Sequence, residues 1–118
     1  MIKTFEEKLE SQWEKVIQFV QDSIKVNSVP DINAILFLIG IQEYGSIQSV
    51  FTKEEKQELI NIGLCSLLQV DGYYTRTGSD ENGWPVFEQT RKYDVNGVEN
   101  QERYLKNKII DYFNLEEE

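Results

Sequence analysis

The stretch Ile32-Asn33-Ala34-Ile35-Leu36-Phe37-Leu38-Ile39-Gly40-Ile41 is apolar on nearly every side. A segment without a wet face has to lie between other elements, so the rest of the chain must supply surfaces to cover it. A helix is the favoured reading. Asp31 stands where an N-cap would stand, Gln42 and Glu43 extend the run, and Gly45 falls where a left-handed residue ends a helix. A buried strand is the alternative, because periodicity alone does not separate the two for a run this apolar. The longest uninterrupted apolar stretch, Ala34 to Ile39, is far short of the roughly 20 residues that cross a bilayer.

Two amphipathic helices are expected to cover it. Thr4-x-x-Glu7 has capping-box spacing, and Phe5, Leu9, Trp13, Val16, Ile17, Val20 and Ile24 recur at helical intervals, which predicts a helix from about residue 5 to 26. Its wide apolar face would equally serve a homodimer. Thr52-x-x-Glu55 is a second capping box. It opens a helix whose inward face is Leu59, Ile60, Gly63, Leu64, Leu67 and Leu68 and which is expected to run to Asp71, with Gly72 as its stop. Gly63 costs a helix interior about 1 kcal/mol relative to alanine, so it marks a close helix crossing, with Gly40 as the candidate opposite.

Beyond Gly72 the chemistry changes. Residues 73–77 and 84–93 are rich in aromatic and β-branched side chains and are separated by the turn-prone Ser79-Asp80-Glu81-Asn82-Gly83, which predicts a β-hairpin. Asn96-Gly97 reads either as a hairpin turn or as a helix start. Tyr104, Leu105, Ile109, Tyr112 and Phe113 then predict a last helix from about 98 or 101 to 114, followed by an acidic, frayed tail at Glu116-Glu117-Glu118. The fold class expected is a single α+β domain over 1–118, mostly helical: three helices, a hairpin and a C-terminal helix, in an order like that of a winged helix.

The chain of 118 residues contains no histidine. The commonest general base and metal ligand is therefore missing, and with it every Ser-His or Cys-His nucleophile. Cys65 is the one cysteine, so no intramolecular disulfide forms and a reducing cytoplasm is the expected setting. Its place in mid-helix marks it as a structural thiol rather than a nucleophile. Most acids stand at solvated helix positions, and Asp80-Glu81-Asn82-Gly83 lacks the ligand spacing of a calcium loop. No glycine-rich phosphate loop is present. No cofactor, metal site or catalytic residue is expected, and no leader or membrane segment is indicated at the N-terminus.

The net charge of -9 is spread along the chain, with 6 Lys/Arg against 10 Asp/Glu in residues 1–70 and 6 against 11 in 71–118. Such a surface repels phosphate backbones and anionic lipid. The helix that would enter a DNA groove opens with Lys53-Glu54-Glu55-Lys56-Gln57-Glu58, acidic where phosphate contacts should begin. What remains is an aromatic hairpin interleaved with arginine, whose candidate binding residues are Tyr74, Arg76, Trp84 and Arg91. Tyr, Trp and Arg are the types enriched at binding hot spots.

Taken together, Ile35 to Glu43, Phe51 to Leu59, Cys65, Gly72-Tyr73-Tyr74 and Asp80-x-x-Gly83-Trp84-Pro85 resemble a family of small acidic bacterial proteins with no assigned activity. The resemblance covers roughly residues 30–90 and implies a bacterial, intracellular setting without implying a substrate. The function expected is a non-enzymatic protein-interaction module or complex subunit. It would bind a protein with a basic surface through the 73–93 hairpin and the adjacent acidic helix. A degenerate winged-helix nucleic-acid-binding regulator is the alternative.

Overall fold

The computed structural model describes residues 4–45 and 50–114. Most of the connection expected at 46–51 and the whole acidic tail lie outside the described residues. The element order is α1 (Phe5–Ile24), α2 (Ile32–Tyr44), α3 (Lys53–Gln69), β1 (Tyr74–Ser79), β2 (Pro85–Gln89) and α4 (Val98–Phe113). This is the α+β, mostly helical order expected. The chain divides into two compact units, Met1–Pro30 with Val95–Glu118, and Asp31–Asp94. Among the described residues no helix is long and apolar enough to cross a membrane.

The first unit is a pair of helices. Thr4 caps α1, its hydroxyl accepting from the Glu7 N–H at 3.1 Å. The helix stops at Ile24 rather than 26, because Lys25 adopts a left-handed conformation (φ 56°) and the Gln21 side chain donates to the carbonyls of Asn27 and Ser28. Contacts between α1 and α4 advance in the same direction: Glu6 with Arg103 at 2.8 Å, Trp13 with the Lys106 ammonium, and Phe19 with Phe113 at 5.4 Å between ring centres. The two helices therefore run parallel. Leu9, Val16, Val20, Ile109 and Ile110 are buried, whereas Phe5 and Ile24, at the ends of the expected stripe, are exposed. Gly97, with φ 88°, leads directly into α4, so Asn96-Gly97 is a helix start and not a hairpin turn.

In the second unit the apolar run is helical, as its flanks predict. Asp31 accepts from the Ala34 N–H at 2.8 Å, and Gly45 closes α2 in a left-handed conformation (φ 77°). Ile35, Leu36, Ile39 and Gly40 are buried, and only Asn33 and Gln42 within the helix are exposed. The helix α3 begins with a complete capping box between Thr52 and Glu55. It ends at Gln69, two residues before the expected stop, where the N–H groups of Gly72 and Tyr73 turn back to the carbonyls of Gln69 and Leu68. Ile62 and Ser66 join its buried set, while Ile60 and Leu64 are only half-buried.

Where α2 and α3 cross, their backbones touch. A Cβ on Gly40 would lie 1.9 Å from the Leu59 carbonyl oxygen, and one on Gly63 would lie 2.2 Å from that of Leu36. The contacts 40–59 and 36–63 run in opposite senses, so the pair is an antiparallel helix hairpin rather than the steep crossing of a helix-turn-helix.

The sheet has two antiparallel strands, with Tyr74 opposite Gln89, Arg76 opposite Phe87 and Ser79 opposite Pro85. A bulge at Thr77 shifts the register between Arg76 and Gly78. The first strand thereby runs on through Gly78 and Ser79, two residues past its expected end. The second strand stops at Gln89, because Thr90 and Arg91 turn their N–H groups to the single carbonyl of Tyr73.

Alanine at Gly40 or Gly63 tests the crossing, because two effects oppose each other there. Helix propensity favours alanine by about 1 kcal/mol, while collision with a backbone carbonyl costs about 3 kcal/mol or more, as no side chain can move aside. Urea denaturation of G40A and of G63A should show net destabilisation of about 2 kcal/mol or more. A stabilised variant would show that the helices do not meet at these residues.

Candidate functional site

The α3 helix and the hairpin enclose a cleft of about 520 Å³. The α3 side contributes Glu54, Glu55, Glu58, Asn61, Ile62 and Cys65; the hairpin contributes residues from Asp80 to Phe87. Ile62 and Pro85 are buried, and Trp84, Phe87 and Cys65 half-buried. The cleft thus has an apolar floor and an acidic rim of Glu54, Glu55, Glu58 and Asp80, with no lysine or arginine among the described residues lining it.

Local bonding fixes the hairpin wall. The Asp80 carboxylate accepts from the N–H groups of Asn82 and Trp84, both at 2.9 Å, while the backbone closes the turn from Asp80 N–H to Trp84 carbonyl at 2.9 Å. Gly83 takes φ 83° there, a conformation in which a side chain would be strained. The Trp84 ring stacks on Tyr44 at the C-terminal end of α2, centres 4.6 Å apart and planes 24° from parallel. The tip of the hairpin is therefore pinned to a helix, and the indole enters the cleft at a set angle.

The base of the hairpin is fixed around Tyr73, which is buried. Its hydroxyl donates a hydrogen bond to the Asp94 carboxylate. The Arg91 guanidinium lies 4.0 Å from its ring centre, and Tyr93 packs edge-on at 5.2 Å. The hydrogen bond to Asp94, followed by desolvation, raises the Tyr73 pKa, with Arg91 acting in the opposite direction. Arg91 thus serves the hairpin's own structure, and so does Arg76, whose guanidinium reaches the Gly78 carbonyl and the Ser79 hydroxyl. Tyr74 is half-buried opposite Gln89. Of the four candidate residues, only Trp84 lines the cleft; Tyr74, Arg76 and Arg91 do not join it there.

The residues that do join Trp84 come from α3 and the turn. Glu54, Glu58, Ile62 and Cys65 share a stripe because their intervals of four, four and three return to one face of a helix. That spacing is visible in the sequence, whereas Tyr44, forty residues from Trp84, carries no such signal. Among the described residues, no group of three or more acids, cysteines or histidines could hold a metal ion.

Burial, and secondarily the charge of Glu58, raises the Cys65 pKa, the opposite of what a nucleophilic thiol needs. The chain matches no protein-family model, no curated protein and no solved structure.

The cleft geometry predicts the behaviour of the thiol. Because a raised pKa leaves less thiolate at neutral pH, Cys65 should react with iodoacetamide more slowly than an unstructured peptide cysteine. Removing the neighbouring charge in Glu58→Gln should speed the reaction without bringing it to the peptide rate, since desolvation is the larger cause. Mass spectrometry of the alkylated protein against time, at several pH values, measures both.

Proposed function

We propose that this chain is a non-enzymatic interaction module or small complex subunit. It holds a protein with a basic surface in the cleft between α3 and the hairpin and on the acidic helix face beside it. The observation that carries this reading is the pairing of a one-signed rim, Glu54, Glu55, Glu58 and Asp80, with an indole fixed by Tyr44 over an apolar floor. An interface built this way divides the work. The carboxylates steer a cationic partner and set its orientation, and the half-buried aromatic supplies contact area of the kind that dominates binding energy. The overall charge of -9 acts in the same direction over longer range.

A catalytic role finds less support. There is no histidine, and the thiol in the cleft is held toward its protonated form. Nucleic acid is disfavoured by the same rim, since four carboxylates would meet phosphates where counterion release requires clustered cations. The proposal includes a reducing cytoplasm, which the lone cysteine suits, and a bacterial setting, which rests on the family resemblance alone.

Affinity purification with crosslinking from the native cells tests the reading. Wild-type protein should retain a partner that Trp84→Ala, and independently Glu54→Lys with Glu58→Lys, reduce by about tenfold or more, the effect of losing a hot-spot residue. Recovery should also fall as salt rises. Full recovery by both variants would end the proposal.

A further inference from the structure

The cleft is longer than a single side chain requires. Cys65 lies eleven positions after Glu54 along α3, a rise of about 16 Å, which equals about five residues of extended chain. Charge is graded along that length, with Glu54 and Glu58 toward the start of the helix and Ile62 and Cys65 farther on. Asp80 and Trp84 stand on the opposite wall. A compact cation would use only part of such a site.

Resting on the interaction reading above, the geometry points to an extended peptide segment bearing one arginine as the occupant. The guanidinium lies among Glu54, Glu58 and Asp80, and the alkyl stem packs against Trp84 and Ile62. Arginine fits better than lysine because its planar fork pairs with carboxylates bidentately and stacks on aromatic faces. The N-terminus of α3 opposes a cation there, but it carries only about half an elementary charge. Four rim carboxylates outweigh it. The volume of about 520 Å³ lies within the range of small-ligand clefts, enough for one inserted side chain with flanking backbone.

The test is an NMR titration of isotope-labelled protein with the peptide Gly-Ser-Arg-Ser-Gly at millimolar concentration, beside the same peptide carrying citrulline in place of arginine, and argininamide. The arginine peptide should shift the Trp84 indole N–H and the Asn61 and Ile62 amides saturably. The citrulline peptide, isosteric but uncharged, should bind about tenfold more weakly. The double variant Glu54→Gln with Glu58→Gln, both at exposed helix positions, should weaken the arginine peptide by about fivefold or more and leave the citrulline peptide unchanged.

Equal binding of the citrulline peptide would overturn the assignment of the cation. Equal affinity for argininamide would overturn the extended segment, and absence of shifts in the cleft would overturn both. If the cleft stays unshifted while Trp84→Ala still releases a crosslinked protein partner, only the arginine occupant fails. If Trp84→Ala and the Glu54→Lys with Glu58→Lys variant both keep the partner as well, the interaction reading fails with it.

Discussion

The contact between α2 and α3 at Gly40 and Gly63 governs what the second unit can be. Each glycine faces a carbonyl oxygen of the other helix at a distance no Cβ can occupy, so the helices approach at backbone level rather than through interdigitated side chains. That closeness accounts for the helix that is apolar on almost every side. Beside this close approach Ile35, Leu36 and Ile39 of α2 and Leu59, Ile62 and Leu67 of α3 are all buried. The cost of a glycine within α3 is offset by this burial, which an alanine would prevent.

The hairpin depends on that pair at two anchor points. A two-stranded sheet is marginal by itself; here its base is tied to α3 by the Tyr73 N–H on the Leu68 carbonyl and the Arg76 N–H on the Gln69 side chain and closed on itself by Tyr73 with Asp94 and Arg91, and its tip is tied to α2 by Trp84 on Tyr44. The arginines beside the aromatic residues therefore do structural work. Arg91 covers a ring, and Arg76 braces the strand around the bulge. The cleft lies between the two anchors, and its walls keep their spacing because both belong to elements tied to the same helix seam.

Much of this was legible in the sequence, and the parts that were not share a cause. Capping residues identified the starts of α1, α2 and α3, because Thr4, Asp31 and Thr52 act on amides three residues away. Gly40 and Gly63 could be paired in advance because glycine inside a helix has few other uses. Strand ends escape local reading where the chain departs from regular pairing, at the Thr77 bulge and at the doubly used Tyr73 carbonyl. The candidate site was half visible. Trp84 and the acidic start of α3 could be read locally, but the roles of Arg76, Arg91 and Tyr44 depend on contacts that only the folded chain creates.

The irregularity at Thr77 has a wider consequence. A sheet of two strands has no interior, so each margin is an open template on which a second copy could grow. The bulge interrupts the spacing of bonding groups along one margin, and Pro85 removes a donor from the other strand at its first residue. Strand-by-strand stacking into larger sheets is thereby discouraged, and the hairpin remains available to present side chains instead of backbone.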